Sequence, residues 1–183
     1  MVILIAYYTA IIAYSLITGI DCFDLFVTFH VVGITLHSTH RIGHKRLIRE
    51  WYRAHTIGHH IMAYPENRYT DIKYRGSPVD SYHLNTIMYV ITGTISLSAC
   101  VFFLSSSLRE VGWTITFLLG LIYWDHYIHQ QLHHSNSVLR KYNWFRSVQE
   151  YHRIHHTHPY KCNYSICCLF IDWIMGTLVE PTS

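Results

Sequence analysis

Apolar residues gather into four stretches that are candidates for membrane spans, separated by segments rich in polar side chains. The four stretches are Met1–Ile20, Phe23–Leu36, Asn85–Leu104 and Val111–Tyr127. A helix needs about 20 mostly apolar residues to cross a bilayer core of roughly 30 Å. Phe23–Leu36 is the weakest candidate, because it is short and carries Asp24 and His30. The pattern predicts an all-α integral membrane bundle with about four transmembrane helices.

The segments around these stretches refine the expected topology. Ser105–Glu110 is a short polar turn, so the two stretches that flank it are predicted to form a helical hairpin. Met1–Ile20 has no basic leader or small-residue cleavage site, which favours a retained span over a cleaved signal peptide. Ile166–Val179 is interrupted by Asp172 and Gly176. We therefore expect this last stretch to lie at the membrane interface or beneath the bundle.

The composition supports a membrane protein and argues against several other classes. Of 183 residues, 50% are hydrophobic and 14% are charged, so we expect one domain that is too apolar for an ordinary soluble protein. The 5 cysteines show no Cys-x-x-Cys spacing, which suggests neither a disulfide framework nor a zinc ribbon. The net charge of +3 is modest and its basic residues are dispersed, which argues against nucleic acid as a partner.

The basic residues orient the predicted spans. Eight of the 14 Lys and Arg residues lie between His37 and His83, five lie between Gln130 and Ser165, and the remaining one is Arg109. By the positive-inside rule, both basic regions face the cytoplasm. The single domain 1–183 then divides into spans (1–36), a cytosolic histidine region (37–83), a membrane hairpin (84–128) and a second cytosolic histidine region (129–183).

Most of the 16 histidines fall into four tight sets within the two cytosolic regions. The sets are His40 with His44; His55 with His59 and His60; His129 with His133 and His134; and His152 with His155 and His156. Histidines four residues apart share a helix face, whereas adjacent ones diverge by about 100°. Neutral imidazole binds iron, zinc or copper. Since about ten imidazoles exceed the needs of one ion with four to six ligands, we predict a dimetal site in a histidine-rich helical cap.

Ten of these histidines are our predicted metal ligands, and His134 is spare. The ten are His40, His44, His55, His59, His60, His129, His133, His152, His155 and His156. Arg41–Arg53 has no proline and only the mild breaker Gly43, so we expect long cytosolic helices to carry the first two sets.

Several other residues are candidates for supporting roles. Asp125, Glu150 and Asp172 could accept hydrogen bonds from ligand imidazoles, although they could equally be solvated charges, and the spare His134 could also lie beside the ligands.

The remaining histidines leave alternatives open. His30 and His37 continue the stripe of ligands along one helix face, and we favour buried, hydrogen-bonded histidines over ligands at both positions. A register that uses His126 with His129, in place of His129 with His133, is the open alternative.

Four motifs of the chain resemble the ordered histidine boxes of the fatty acid hydroxylase and sterol desaturase superfamily. They are His40-Arg-Ile-Gly-His44, His55-Thr-Ile-Gly-His59-His60, His129-Gln-Gln-Leu-His133-His134 and His152-Arg-Ile-His155-His156. Asn163-Tyr164-Ser165 and the segment from Asp172 to Thr177 are similar to the family's Asn-Tyr-Gly and Asp-x-x-Phe-Gly-Thr patterns. The second box departs from the family by placing three residues before its doublet where two are commoner. Ser165 replaces Gly and Met175 replaces Phe, and these departures concern the subfamily.

The resemblance implies a membrane enzyme in which two histidine-ligated iron ions and O2 oxidise an unactivated C–H bond of a fatty acyl chain, a sphingolipid or a sterol. Zinc could replace iron in an isolated sample, because the Irving–Williams order favours it. Electrons are expected from a separate donor such as cytochrome b5 or a ferredoxin. The expected location is a membrane with the histidines on its cytosolic face, namely the endoplasmic reticulum for a eukaryotic protein or a viral protein in a eukaryotic host.

Three functions are therefore compared. A lipid hydroxylase is favoured, and a lipid or sterol desaturase of the same superfamily is the alternative, since both begin by removing hydrogen from carbon. A non-catalytic histidine-rich protein that handles metal is the more distant alternative. It predicts polar residues along a path across several helices, and such residues are scarce in the apolar stretches.

Overall fold

The computed structural model describes residues 2–64, 93–96, 107–157, 161–166 and 168–181. Within those ranges the regular elements are helices, which confirms the all-α prediction for this part of the chain. They are α1 (Val2–Thr18), α2 (Cys22–Gly43), α3 (Arg49–Tyr52), a π-helical segment (Arg53–Ala63), α4 (Leu108–Leu132), a 3-10 turn (Val138–Lys141), α5 (Asn143–Thr157) and α6 (Leu169–Ile174).

Helices α1 and α2 form an antiparallel pair joined by a short connection. The Asp21 carboxylate accepts a hydrogen bond of 2.7 Å from the backbone N–H of Phe23, which caps α2. Ile11 of α1 packs with Leu25 and Phe29 of α2 in a buried cluster, and side chains of α4 pack against the same cluster. These contacts fix α2, whose last turns carry the first histidines.

Helix α4 begins within the predicted Ser105–Glu110 turn, so that prediction was wrong in its second half. Ser107 and Glu110 form a capping box, in which each side chain bonds the backbone N–H of the other residue. A Ser followed three residues later by Glu is a sequence signal for such a start. In the helical turn at 93–96, a Cβ added to Gly93 would lie 3.0 Å from Ile122 of α4. The hairpin itself stays a prediction, because most of its first limb lies outside the described residues.

Helix α2 is long and apolar enough to cross a membrane by length and composition, and it is the one such helix in the described ranges. Tyr7–Thr18 is a shorter apolar helix. The predicted spans Phe23–Leu36 and Val111–Tyr127 lie within α2 and α4, and most of Asn85–Leu104 lies outside the described residues. The four-span bundle and the cytosolic position of the histidines stay predictions.

The expected long helix over Arg41–Arg53 was wrong, because α2 ends at Gly43 and the next helix begins at Arg49. The glycine permits a close return of the chain: a Cβ at Gly43 would lie 3.1 Å from Trp51 Nε1 and 3.1 Å from His55 Cδ2. The break therefore folds the second histidine set back onto the first.

A second buried cluster holds α5 against the end of α4. Ile128 and Leu132 of α4 pack with Phe145 and Val148 of α5. The Gln149 side chain donates a 2.8 Å hydrogen bond to the carbonyl of Leu132, which satisfies an acceptor that a helix end leaves open. These contacts place the histidines at the end of α4 beside those of α5.

Candidate metal centre

Five histidines from three parts of the chain form one group, which we call the five-histidine group. Its members are His40, His44, His55, His60 and His155, and one ring nitrogen of each lies within 4.8 Å of those of the others. The Nε2 atom of His44 lies 3.2 Å from that of His155 and 3.1 Å from that of His55. The Nε2 atoms of His55 and His60 are 3.3 Å apart.

A neighbouring set is the four-histidine group. Its members are His59, His129, His133 and His152. The Nε2 atoms of His152 and His133 lie 3.0 Å apart. His156 lies between the two groups, since its ring stacks on His60 with centroids 3.9 Å apart and it forms a third group with His59 and His60. All ten predicted ligands thus converge on adjoining sites, and their binding of metal stays a prediction.

The π-helical segment decides how the second histidine box is shared between the groups. In a π-helix, hydrogen bonds join residues five apart, and Tyr64 N–H donates to His59 C=O in this pattern. His55 and His60 therefore align and enter the five-histidine group, whereas His59 enters the four-histidine group. Sequence reasoning expected an α-helix, in which His55 and His59 would align. The three residues before the doublet, one more than usual, were the available signal.

The distances within both groups fit ligands that share an ion. Zn–N bonds of about 2.0–2.1 Å, at angles between octahedral and tetrahedral, place two ligand nitrogens about 2.8–3.4 Å apart. The Nε2 separations of 3.0, 3.1, 3.2 and 3.3 Å all lie in this interval. The Nε2 atoms of His40, His129 and His156 are buried without a hydrogen-bond partner among the described residues, which is the state of a donor atom reserved for a metal.

Two backbone carbonyls fix the ring orientation of two ligands. Nδ1–H of His40 donates to the carbonyl of Tyr164 over 2.6 Å, and Nδ1–H of His155 donates to the carbonyl of Cys162 over 2.7 Å. A neutral imidazole carries one N–H, so each ring presents the lone pair of Nε2 to the group. Backbone acceptors leave no trace in a residue pattern, and sequence reasoning therefore missed them.

One close contact in the five-histidine group, between His44 and His155, brings two ring nitrogens face to face. Thr56 Oγ1 donates to the carbonyl of Gly43 over 2.9 Å and accepts Nδ1–H of His44 over 3.2 Å. His44 and His155 thus both carry their proton on Nδ1, and their Nε2 lone pairs face each other. Two lone pairs 3.2 Å apart repel, and a metal ion held between them by His44 and His155 would replace this repulsion with attraction.

Burial keeps the imidazoles neutral. It is the largest cause that lowers the pKa of the predicted ligands from His44 onward, and repulsion by neighbouring imidazoles adds to it for most of them. Burial lowers the pKa of His155 to about 4 and that of His129 to about 3. The rings are therefore in their ligand-competent form at neutral pH.

The predicted supporting carboxylates have different surroundings. Asp172 is fully buried and accepts bonds from backbone N–H groups and from Thr177, so it does not bond a predicted ligand directly. Burial alone would raise the pKa of Asp172, but hydrogen bonds from His37, Thr177 and Ser165 outweigh it and lower that pKa. Glu150 pairs with Arg153, and both side chains are partly exposed.

The remaining candidates are placed as follows. Asp125 is buried and lines a cavity described below, and His134 belongs to none of the groups found among the described residues. His37 Nε2–H bonds Thr177 over 3.0 Å and lies 3.4 Å from the Asp172 carboxylate, as favoured for a buried histidine. His126 bonds Gln130 and lies outside the groups, so His133 completes the four-histidine group instead.

A cavity with mostly apolar walls reaches both groups. Val32, Leu36, Leu121 and other apolar side chains of α2 and α4 line it, with Trp124 and Ile166. The lining also includes His40 and His55 of the five-histidine group and His129 of the four-histidine group. An apolar cavity of this kind suits a hydrocarbon chain.

The helical fold and the adjoining histidine groups, which could hold metal ions, together define a candidate metalloenzyme. Comparison with known families agrees, since the sequence model of the fatty acid hydroxylase family matches residues 25–177. The chain belongs to this family, as its histidine boxes predicted, and membership indicates an oxygenase-type enzyme. No curated protein and no solved structure matches the chain.

Proposed function

We propose that the chain is a membrane-bound di-iron oxygenase that hydroxylates a lipid at an unactivated C–H bond. In the balanced reaction, the lipid C–H, O2, two electrons and two protons give the C–OH product and water. The electrons would come from a separate protein such as cytochrome b5 or a ferredoxin. Family membership supports the class of reaction, and the adjoining histidine groups support a two-ion centre.

The single observation that carries this proposal is the contact between the apolar cavity and both histidine groups. A substrate in this cavity would lie against walls that include His40, His55 and His129. A protein that only carries metal ions across a membrane needs a polar path, since a charge is costly in apolar surroundings. The walls instead favour a lipid chain as the occupant.

The chain's own residues would divide the work between holding ions and holding lipid. Iron would supply redox chemistry that zinc cannot, because zinc has no accessible second oxidation state. The two histidine groups would hold the ions through neutral nitrogens, with the proton on Nδ1 wherever that atom donates to a backbone carbonyl. Val32, Leu36 and Leu121 would exclude water from the substrate and pack against its hydrocarbon chain.

The proposed location is an integral membrane position with the histidines on the cytosolic side, which is the endoplasmic reticulum for a eukaryotic protein or a viral protein in a eukaryotic host. Helix α2 supports membrane association, because it is long and apolar enough to span. Lys45, Arg46 and Arg49 are exposed in the segment just after His44, and such residues are enriched on the cytosolic side of spans. A water-soluble electron donor would reach the centre from the same side.

Lipid analysis tests the proposal. Cells supplied with iron and oxygen would express the full chain, the His155→Ala variant or the His133→Ala variant, at membrane levels matched by immunoblot. Glu180→Gln, a change at an exposed position, is the control. We expect lipids with one added oxygen atom from the full chain and the control, and none from either histidine variant.

Two other results would change the conclusion. Lipids that have lost two hydrogen atoms without gaining oxygen would identify the desaturase alternative. Identical lipid profiles from the full chain and the histidine variants would contradict an oxygenase and favour the metal-handling alternative.

A further inference from the structure

One short loop supplies both of the backbone carbonyls that orient histidines of the five-histidine group. We call residues 162–165 the orienting loop. Its Cys162 carbonyl accepts from His155 and its Tyr164 carbonyl accepts from His40. These histidines come from α5 and α2, so the loop sets the ring planes of two ligands that approach from different helices.

The Asp172 carboxylate holds the orienting loop in place. Its Oδ1 accepts the backbone N–H of Tyr164 and its Oδ2 accepts that of Ser165, each over 2.8 Å. Thr177 donates its hydroxyl to the same Oδ1 over 2.7 Å, and His37 lies on the far side of this pair. Because the carboxylate is fully buried, the loop amides that it binds have no water to replace it.

Asn163 gives the loop a shape that depends on these anchors. It has a φ of 53°, in the left-handed region that is uncommon outside glycine. Its side chain donates to the carbonyl of Val179 over 2.9 Å and accepts the N–H of Val179 over 2.8 Å, and its own N–H donates to the carbonyl of Thr177 over 2.9 Å. The loop is thus tied to the segment after α6 at several points.

We propose that Asp172 is a positioning residue for one of the two metal sites, acting through the orienting loop on His40 and His155. Both histidines belong to the five-histidine group, so loss of the carboxylate should weaken that site and leave the four-histidine group able to bind. This inference rests on the proposed function only in requiring that the chain bind two ions.

The Asp172→Asn variant tests the proposal with little change of volume. An amide offers one oxygen where the carboxylate offers two, so its NH2 group must face a loop N–H in either orientation. Loss of partners that orient metal ligands typically weakens metal affinity roughly 10- to 100-fold. The control is Glu180→Gln, the same chemical change at an exposed position nearby.

The measurement is the binding of Co2+ to the full chain purified in detergent, followed by metal content per chain and by the visible absorption of the bound cobalt. His155→Ala and His133→Ala provide reference spectra with one group damaged in each. We expect two ions in the wild type and in Glu180→Gln. Asp172→Asn should hold about one ion, bind the second at least tenfold more weakly, and give the spectrum of His155→Ala.

Two milder variants keep the test informative if Asp172→Asn does not fold. Thr177→Val removes the hydroxyl that bonds Asp172, whereas Thr177→Ser keeps it. The valine variant should show the same selective weakening to a smaller extent, and the serine variant should restore wild-type binding.

The proposal is overturned if folded Asp172→Asn and Thr177→Val both bind two ions with wild-type affinity, or if they weaken both sites equally. A wild-type chain that binds no metal would instead refute the proposed function itself. The two failures are therefore distinguishable.

Discussion

At the scale of single residues, the arrangement of the histidine groups depends on Gly43, a residue without a side chain. Gly43 ends α2 and lets Trp51 and His55 approach within 3.1 Å of the position that a Cβ would take. Both neighbours are buried, so neither can move aside without disturbing packing. The position of His55 therefore requires a residue without a side chain at position 43.

Gly43→Ala should displace His55 and weaken binding at the five-histidine group by about tenfold, a size typical of changes to groups that orient ligands. The matched control is Gly120→Ala in α4, where an added Cβ meets nothing within 4 Å. That change should leave metal binding intact and stabilise the helix by about 0.5–1 kcal/mol. Competition with a chelator and thermal unfolding measure the two effects, and equal metal affinity in both variants would contradict this account of Gly43.

At the scale of elements, the π-helical segment explains why the second box carries an extra residue. In α5, which is α-helical, His152 is followed by histidines three and four positions later. In the π-helical segment, His55 is followed by histidines four and five positions later. Hydrogen bonds in a π-helix join residues five apart, so its turn is longer than that of an α-helix. The side chains four and five positions after His55 therefore point in nearly the same directions as those three and four positions after His152.

Removing one residue from this segment tests the explanation. Deletion of the partly exposed Ile57 gives the second box the spacing of α5, so the segment should become α-helical and the chain should still bind two metal ions. Insertion of one alanine after Ile57 matches neither helix and should cost at least one ion. Metal content per chain measures both variants. If deletion and insertion were equally damaging, the correspondence between the two helices would be refuted.

The four histidine boxes allowed the convergence of the ten histidines to be predicted residue by residue, because ring nitrogens and their spacing are written in the sequence. The assignment of His55 and His60 to one group could not be predicted, since it depends on a π-helix that propensities do not specify. The break at Gly43 was missed for a related reason. A glycine is only a mild helix breaker by itself, and the close return of Trp51 that requires it is a tertiary contact.

At the scale of the whole molecule, ten imidazoles are packed among helices that hold them neutral. In the metal-free chain, burial lowers the pKa values of the nine predicted ligands from His44 onward below the unfolded value of about 6.5. The unfolded chain therefore binds more protons than the folded chain once the pH falls below about 6.5. By linkage, stability is fully present above that pH and is lost as the solution becomes more acidic.

The metal-free chain in detergent should accordingly show a thermal midpoint that is flat from pH 8 to about 6.5 and falls steadily below it. Each buried histidine contributes up to about 1.4 kcal/mol per pH unit in this range. The decline for His129 and His155 should continue to the region of their folded pKa values, about 3 and about 4. Replacement of His155 by glutamine should reduce the slope. A midpoint independent of pH between 6.5 and 5 would show that these rings are not buried in the neutral form.

The orienting loop predicts which of its positions can vary among related chains and which cannot. A main-chain oxygen is supplied by any amino acid, so Cys162 and Tyr164 contribute their acceptors regardless of side-chain identity. Substitutions at these two positions would change how the interior packs, but both backbone acceptors would stay in place. The side chains of Asn163 and Asp172 are the ones we expect related chains to retain, because the shape of the loop depends on them.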